Sequence, residues 1–103
     1  MHQLVTNKQK EIAAICRKHK VERLEVFGSA ARGTDFNSLT SDIDFLVEYQ
    51  TPLLPGLFER RVQLQDDLQA VLKRKVDLIR NGTIRNPYLK QSIEEDREVV
   101  FED

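Results

Sequence analysis

Apolar residues recur along this chain with two different periods, and the alternation between them outlines a fold. Over residues 7–19, Ile12, Ile15 and Cys16 fall on one side at helical spacing. Thr6 is placed to cap that helix, Gln9 three residues on completes a capping-box pattern, and Leu4 or Val5 can staple onto the first turns. Lys18, His19 and Lys20 suit the negative end of the helix dipole. Arg23 to Phe27 then changes to period two, with Leu24 and Val26 on one face. Gly28-Ser29 ends this strand, and Ala30-Ala31-Arg32 predicts a turn or two of helix before Gly33. Residues 34–40 are polar and turn-rich, which predicts a loop. A second strand runs from Asp42 to Tyr49. Its faces separate cleanly: Ile43, Phe45 and Val47 point to a core, while Asp42, Asp44, Leu46 and Glu48 point the other way.

Pro52 and Pro55 mark a stiff connection to a second long helix over residues 56–73. Leu57, Leu64, Leu68, Val71 and Leu72 trace its apolar stripe, with Arg61 as a snorkelling exception and Phe58 and Val62 widening it. Lys75 to Ile79 reads as a third strand, with Val76 and Leu78 on one face and Asp77 and Ile79 on the other. Asn81-Gly82 signals a turn. Asn86 is a helix cap with Pro87 at the first helical position, and Leu89 and Ile93 are the apolar residues of that last helix. Its end, Glu94-Glu95-Asp96, opposes the dipole and is expected to fray. Val99-Val100-Phe101 fits an edge strand or a partner contact equally well. The order of elements predicts an α+β domain: a small mixed sheet with helices packed on one face. On that arrangement the second face, with Leu46 and Ile79, needs a partner or a substrate to cover it.

The chain has 103 residues, enough for one domain spanning residues 1–103. Charged residues make up 32% and hydrophobic residues 40%, the composition of a soluble globular protein. A net charge of −1 argues against direct nucleic-acid binding through a basic face. Arg60-Arg61 and Lys73-Arg74-Lys75 are local basic clusters, read as solvated helix ends. The single cysteine, Cys16, permits no internal disulfide and reads as a small core residue. No apolar run approaches membrane-spanning length, no apolar leader is apparent, and the cytoplasm is the expected compartment. His2 and His19 have no partner at zinc-ligand spacing.

One stretch, VFGSAARGTDFNSLTSDIDFLV over residues 26–47, carries chemistry. Asp42 and Asp44 project from one side of a strand, with roughly 7 Å between their alpha carbons. Like charges so placed repel, unless a hard cation such as magnesium draws their oxygens together. A Gly-Ser turn opening a short helix offers backbone N–H groups and a hydroxyl to a phosphate. Each feature alone has a bland reading: a solvated edge strand for Asp-x-Asp, an ordinary turn for Gly-Ser. Together they read as a site for a metal-bound nucleoside triphosphate.

The combination G-S-x-x-R-G followed by S-D-x-D resembles the signature of the DNA polymerase β-like nucleotidyltransferases. The small size makes the chain most similar to the minimal nucleotidyltransferases, the MNT proteins, commonly the antitoxins of HEPN–MNT toxin–antitoxin pairs. The resemblance covers roughly residues 10 to 95. It implies the nucleotidyltransferase fold, with Asp42 and Asp44 binding one or two magnesium ions. It implies a third carboxylate on a later strand, at the position of Asp77, which otherwise reads as a strand residue paired with Arg80 or Lys75. It implies that Gly28 and Ser29 form the phosphate-binding turn and that Arg32 reaches a phosphate or pairs with a site aspartate. It further implies ATP as substrate and AMP as the group transferred. The expected acceptor is a hydroxyl, a tyrosine's in the toxin–antitoxin relatives, on a HEPN ribonuclease toxin held in a hetero-oligomer. Two other readings stay open: an antitoxin that acts by binding alone, and a small-molecule nucleotidyltransferase subunit paired with a separate substrate-binding chain.

Overall fold

The computed structural model describes residues 3–32, 42–80 and 85–103 and, at Ser29, Arg32 and Ser92, the backbone alone. The expected loop over residues 34–40, Gly33, Ser41 and the Asn81-Gly82 turn lie outside these residues. Three of the four strands form where period two was expected, and the fourth where the sequence left two alternatives open. They are β1 (Val21–Phe27), β2 (Ile43–Tyr49), β3 (Val76–Arg80) and β4 (Glu98–Glu102), in the spatial order β3-β2-β1-β4. β2 is antiparallel to β1 and parallel to β3, and β4 runs antiparallel to β1. The sheet is therefore mixed, as predicted. Val99-Val100-Phe101 takes the edge-strand alternative, with Val100 and Phe101 buried.

One face of the sheet carries the main core. Leu24 and Val26 of β1, Ile43, Phe45 and Val47 of β2, and Val76 and Leu78 of β3 pack with Ile12 and Cys16 of α2 (Gln9–Lys18) and with Leu64, Leu68 and Leu72 of α4 (Leu57–Leu72). Cys16 is fully buried, and desolvation pushes its thiol up to about 12, so it is an inert core residue, as expected. The α4 stripe is narrower than predicted. Phe58 is 67% exposed and Val62 is also exposed, because the buried row of α4 is the i, i+4 line of Leu64, Leu68 and Leu72. Arg61 lies outside the core over the Phe58 ring, at 5.6 Å. Arg60 is the arginine that turns inward: its Nη2 donates to the His19 carbonyl at 2.8 Å, and its guanidinium stacks 4.7 Å over the Tyr49 ring. His19 is itself tied to α4, with Nε2 2.7 Å from Asp67 Oδ2.

The first helix differs from expectation. It is split into α1 (Gln3–Thr6) and α2, so Thr6 is the last residue of a turn and cannot cap the next. Lys8 stands at the N-cap of α2 and makes no side-chain capping bond. The break at Asn7-Lys8 lets Val5 fold back into the core, where it is fully buried. Burial of a whole valine side chain is worth about 1.5–3 kcal/mol, more than the roughly 1 kcal/mol of a cap.

The second face is not left for a partner to cover. A helix, α5 (Pro87–Asp96), lies across it, and its Ile93 is buried with Phe27, Leu46 and Ile79. Asn86 starts α5 as predicted: its Oδ1 accepts from the Tyr88 and Leu89 amides at 2.9 and 3.4 Å. The acidic end of α5 stays helical through Asp96, and the reason is Arg97. Its Nη1 donates to Glu94 at 2.7 Å, and its Nε and Nη2 donate to both oxygens of Glu25, at 2.5 and 2.7 Å. Glu25 sits in the middle of β1 and is only 2% exposed. Arg23 adds a second cation, its Nε 2.9 Å from Oε1. This buried, two-pronged bridge seats the end of α5 on the sheet.

Removing one partner of a buried pair strands the other, so Arg97→Met should destabilise the fold by about 3 kcal/mol at neutral pH. The Arg97 hydrogen bond, against the opposing effect of burial, holds the Glu25 carboxyl below its ordinary value of 4.5. That stabilisation is complete above pH 4.5 and fades as pH falls through the lowered value. Urea titrations from pH 7 down to pH 3 should therefore show the gap between wild type and variant closing on the acid side.

Candidate active site

The parallel pairing of β2 and β3 decides the geometry of the site. In that register Asp44 stands directly beside Asp77, and the antiparallel register of β1 puts Phe27 on the other side of Asp44. Asp44 and Asp77 point to the second face, since their neighbours Ile43, Phe45, Val76 and Leu78 fill the core on the first. The next residues on that face, Leu46 and Ile79, lie in the Ile93 cluster. The carboxylates thus occupy the corner of the face that α5 leaves open, with an apolar wall directly behind them.

That setting perturbs Asp44. Desolvation, the charges of Asp77 and Asp42, and a hydrogen bond with Asp77 together push its carboxyl up to about 6. All four influences act in the same direction, and among the described residues none is offset by a cation. The Asp77 carboxyl lies within hydrogen-bonding reach of Asp44 and adds to the desolvation that disfavours the ionised form of Asp44. Asp42, half-buried just before β2, acts on Asp44 through its charge alone. The structure thus brings Asp44 and Asp77 into contact and keeps Asp42 near them. Among the described residues, no group of three His, Cys, Asp or Glu residues closes into a ready-made metal cage. Magnesium does not need one. It is commonly held by one or two carboxylates, with waters and substrate phosphates completing its octahedron. The oxygen-only donor set and the uncompensated repulsion at Asp44 fit such an ion.

Gly28 follows β1 at the same end of the sheet, with φ at +71°. A Cβ at this position would come within 2.9 Å of Asp44 Oδ2. Glycine is therefore required twice: for its left-handed backbone, and because the Asp44 carboxylate lies against it. The second requirement was not apparent in the sequence, because the contact spans two strands. Ser29 opens α3 (Ser29–Arg32), and the Ala31 amide closes the turn on the Gly28 carbonyl at 3.1 Å. Arg32 ends α3.

Comparison with known proteins agrees with this architecture. Residues 9–100 match the nucleotidyltransferase domain family, and the chain belongs to that family. It is a nucleotidyltransferase enzyme by that membership and by its relatives. A Methanocaldococcus jannaschii protein provisionally named protein adenylyltransferase MJ0128 is 46% identical, over 84% of this chain and 91% of its own length. The protein adenylyltransferase MntA of Thermococcus cleftensis is 32% identical over 88% of this chain and 92% of its own. Among solved structures, that of a tri-AMPylated Shewanella oneidensis HEPN toxin in complex with its MNT antitoxin shares the fold. Its TM-score is 0.64 at 20% identity, over 96% of this chain and 73% of the matched one.

Two stability measurements test the corner. Because the folded value of Asp44 lies above its ordinary 3.8, ionisation of Asp44 works against folding. The penalty is absent below about pH 4 and complete above about pH 6. Without divalent metal, Asp44→Asn should raise stability at pH 7.5 by on the order of 1 kcal/mol, water screening having reduced the effect. Thermal melts should show this gain vanish near about pH 4. Gly28→Ala should cost about 1–2 kcal/mol through its backbone alone, and more where Asp44 must move.

Proposed function

We propose that this chain transfers the AMP group of ATP to a hydroxyl, a tyrosine phenol, on a HEPN-domain ribonuclease toxin, and so neutralises it in the cytoplasm. The observation that carries the reading is the contact of Asp44 with Asp77 beside the Gly28 turn. It is a carboxylate pair that no cation among the described residues offsets, next to a backbone shaped for close approach. The relatives named as protein adenylyltransferases support AMP as the group transferred. The Shewanella complex, an MNT antitoxin with an AMPylated HEPN toxin, supports a toxin partner and a hetero-oligomer.

In this reading the residues divide the work by position. Gly28 and Ser29, at the end of β1, would take the β- and γ-phosphates, with Arg32 at the far end of α3 reaching a phosphate. Asp42, Asp44 and Asp77 would hold magnesium, one or two ions, which supplies charge neutralisation at the α-phosphate and acidifies the acceptor hydroxyl. The acceptor oxygen bonds to the α-phosphorus, the bond from that phosphorus to the bridging oxygen of the β-phosphate breaks, and pyrophosphate leaves. The hydroxyl proton passes to Asp77, the exposed member of the pair. Asp44, packed against Gly28 and an apolar wall, stays in place through the step. A rigid carboxylate keeps the α-phosphate aligned for in-line attack.

Mass spectrometry of a coexpressed HEPN partner should show the added mass of one or more AMP groups. Substituting Asp42→Asn together with Asp44→Asn should reduce transfer by at least about 10²-fold. Unaltered modification by that double variant would refute the assignment of these carboxylates. Suppression of toxicity without any mass change would mean that the protein acts by binding alone. Ser29→Ala should weaken magnesium-dependent ATP binding, and unchanged affinity would remove Ser29 from the phosphate site.

A further inference from the structure

The turn between α4 and β3 is Lys73-Arg74-Lys75, and the sheet carries it to the edge of the carboxylate corner. The Ile43 amide donates to the Lys75 carbonyl at 3.0 Å, which extends the β2–β3 ladder one step before the Ile43–Val76 pair. Lys75 therefore stands level with Asp42 and two residues before Asp77. Strand alternation puts it on the side of Asp77, opposite buried Val76. Lys73 caps α4 in the left-handed conformation, φ +55°, and Arg74 Nη1 donates back to its carbonyl at 2.8 Å, which stiffens the turn. Lys73 and Lys75 are exposed, and neither forms an ion pair with a described residue. Two exposed cations without a described ion-pair partner thus flank the carboxylate corner.

The direction of the reaction says what they face. In-line transfer requires the acceptor and the departing pyrophosphate on opposite sides of the α-phosphorus. The strand order is β3-β2-β1 through the site. If pyrophosphate leaves over Gly28 and Ser29 at the end of β1, the acceptor enters over the opposite edge, across β3. It meets Lys73, Arg74 and Lys75 before it reaches Asp77. We infer that this basic turn is the docking surface for the acceptor protein, and that the acceptor presents an acidic surface around its target hydroxyl. The inference rests on the nucleotidyl-transfer reading above, which supplies the direction of entry. An acidic approach would otherwise be repelled by the carboxylate corner. The lysines place positive charge at the edge that the acceptor crosses, and complementary charge of this kind governs encounter and register.

Random copolymers of Glu and Tyr, and of Lys and Tyr, serve as model acceptors, with the intact protein, magnesium and a non-hydrolysable ATP analogue. Fluorescence anisotropy should show tighter binding of the Glu-Tyr polymer, weakening steeply with salt. The double variant Lys73→Glu/Lys75→Glu should lose about ten-fold in that affinity, and the neutral Lys73→Gln/Lys75→Gln a smaller factor. Calorimetry should find the affinity for the ATP analogue unchanged in both. Equal binding of the two polymers, a preference for the basic one, or an unaffected variant overturns the inference. So does a variant that loses the ATP analogue instead, since the lysines would then belong to the nucleotide. Transfer of labelled AMP from ATP to the Glu-Tyr polymer is scored separately. Charge-dependent binding without transfer would count against the proposed function and leave the docking surface standing.

Discussion

Two carboxylates held side by side on parallel strands are the constraint around which this molecule is arranged. Asp44 and Asp77 are adjacent because β2 and β3 share a register, and that register is set by what lies beneath them. Ile43, Phe45 and Val47 alternate with the acidic positions of β2, and Val76 and Leu78 with those of β3. A slip of one residue would bury the aspartates and expose the core. The same hydrophobic contacts that stabilise the sheet therefore force the repulsive pair together. The cost appears at Asp44, whose carboxyl is held well above its ordinary range. Perturbed carboxyls of this kind cluster at functional sites.

The rest of the fold protects that corner without closing it. Ile93 of α5 reaches Leu46 and Ile79, the residues immediately behind the carboxylates, and goes no further. The Glu25–Arg97 bridge fixes where the end of α5 sits, and with it how much of the face stays open. Side chains from the helices also reach the sheet edges. Gln65 and Gln69 of α4 bond the Val76 carbonyl and amide, and Gln9 of α2 reaches the Val100 carbonyl. Backbone groups at an unpaired edge invite strand addition, and these amides occupy some of them. Among the described residues, no helix is long and apolar enough to cross a membrane.

Much of this was legible in the residues one at a time. Period two separated the faces of β2 without error for Ile43, Phe45 and Val47, and Asn86-Pro87 marked the start of α5 correctly. Local signals misled where tertiary burial opposed them. The Thr6 capping pattern gave way to the burial of Val5, and the broad stripe of α4 narrowed because Phe58 and Val62 face away from the sheet. The clearest omission was Glu25. A lone acidic residue in a strand reads as solvent-facing, and its partner is 72 positions away in the chain. No local pattern could show that pairing, nor that it would bring a helix onto the face predicted to be bare.

The sequence by itself determined most of the elements, the faces of the central strands, and the identity of the chemical groups. Periodicity, caps and turn residues act over a few neighbours, and Asp42, Asp44 and the Gly28-Ser29 turn lie within one short stretch. Only the tertiary structure decided which groups meet. The contact of Asp44 with Asp77, the approach of Gly28 to the Asp44 carboxylate, the roof of α5 and the position of the Lys73–Lys75 turn all depend on strand order and register. Those are set by the packing of the whole sheet on α2 and α4. Burial is a property of the folded surface, so the perturbed carboxyl that marks this site has no counterpart in the linear chain.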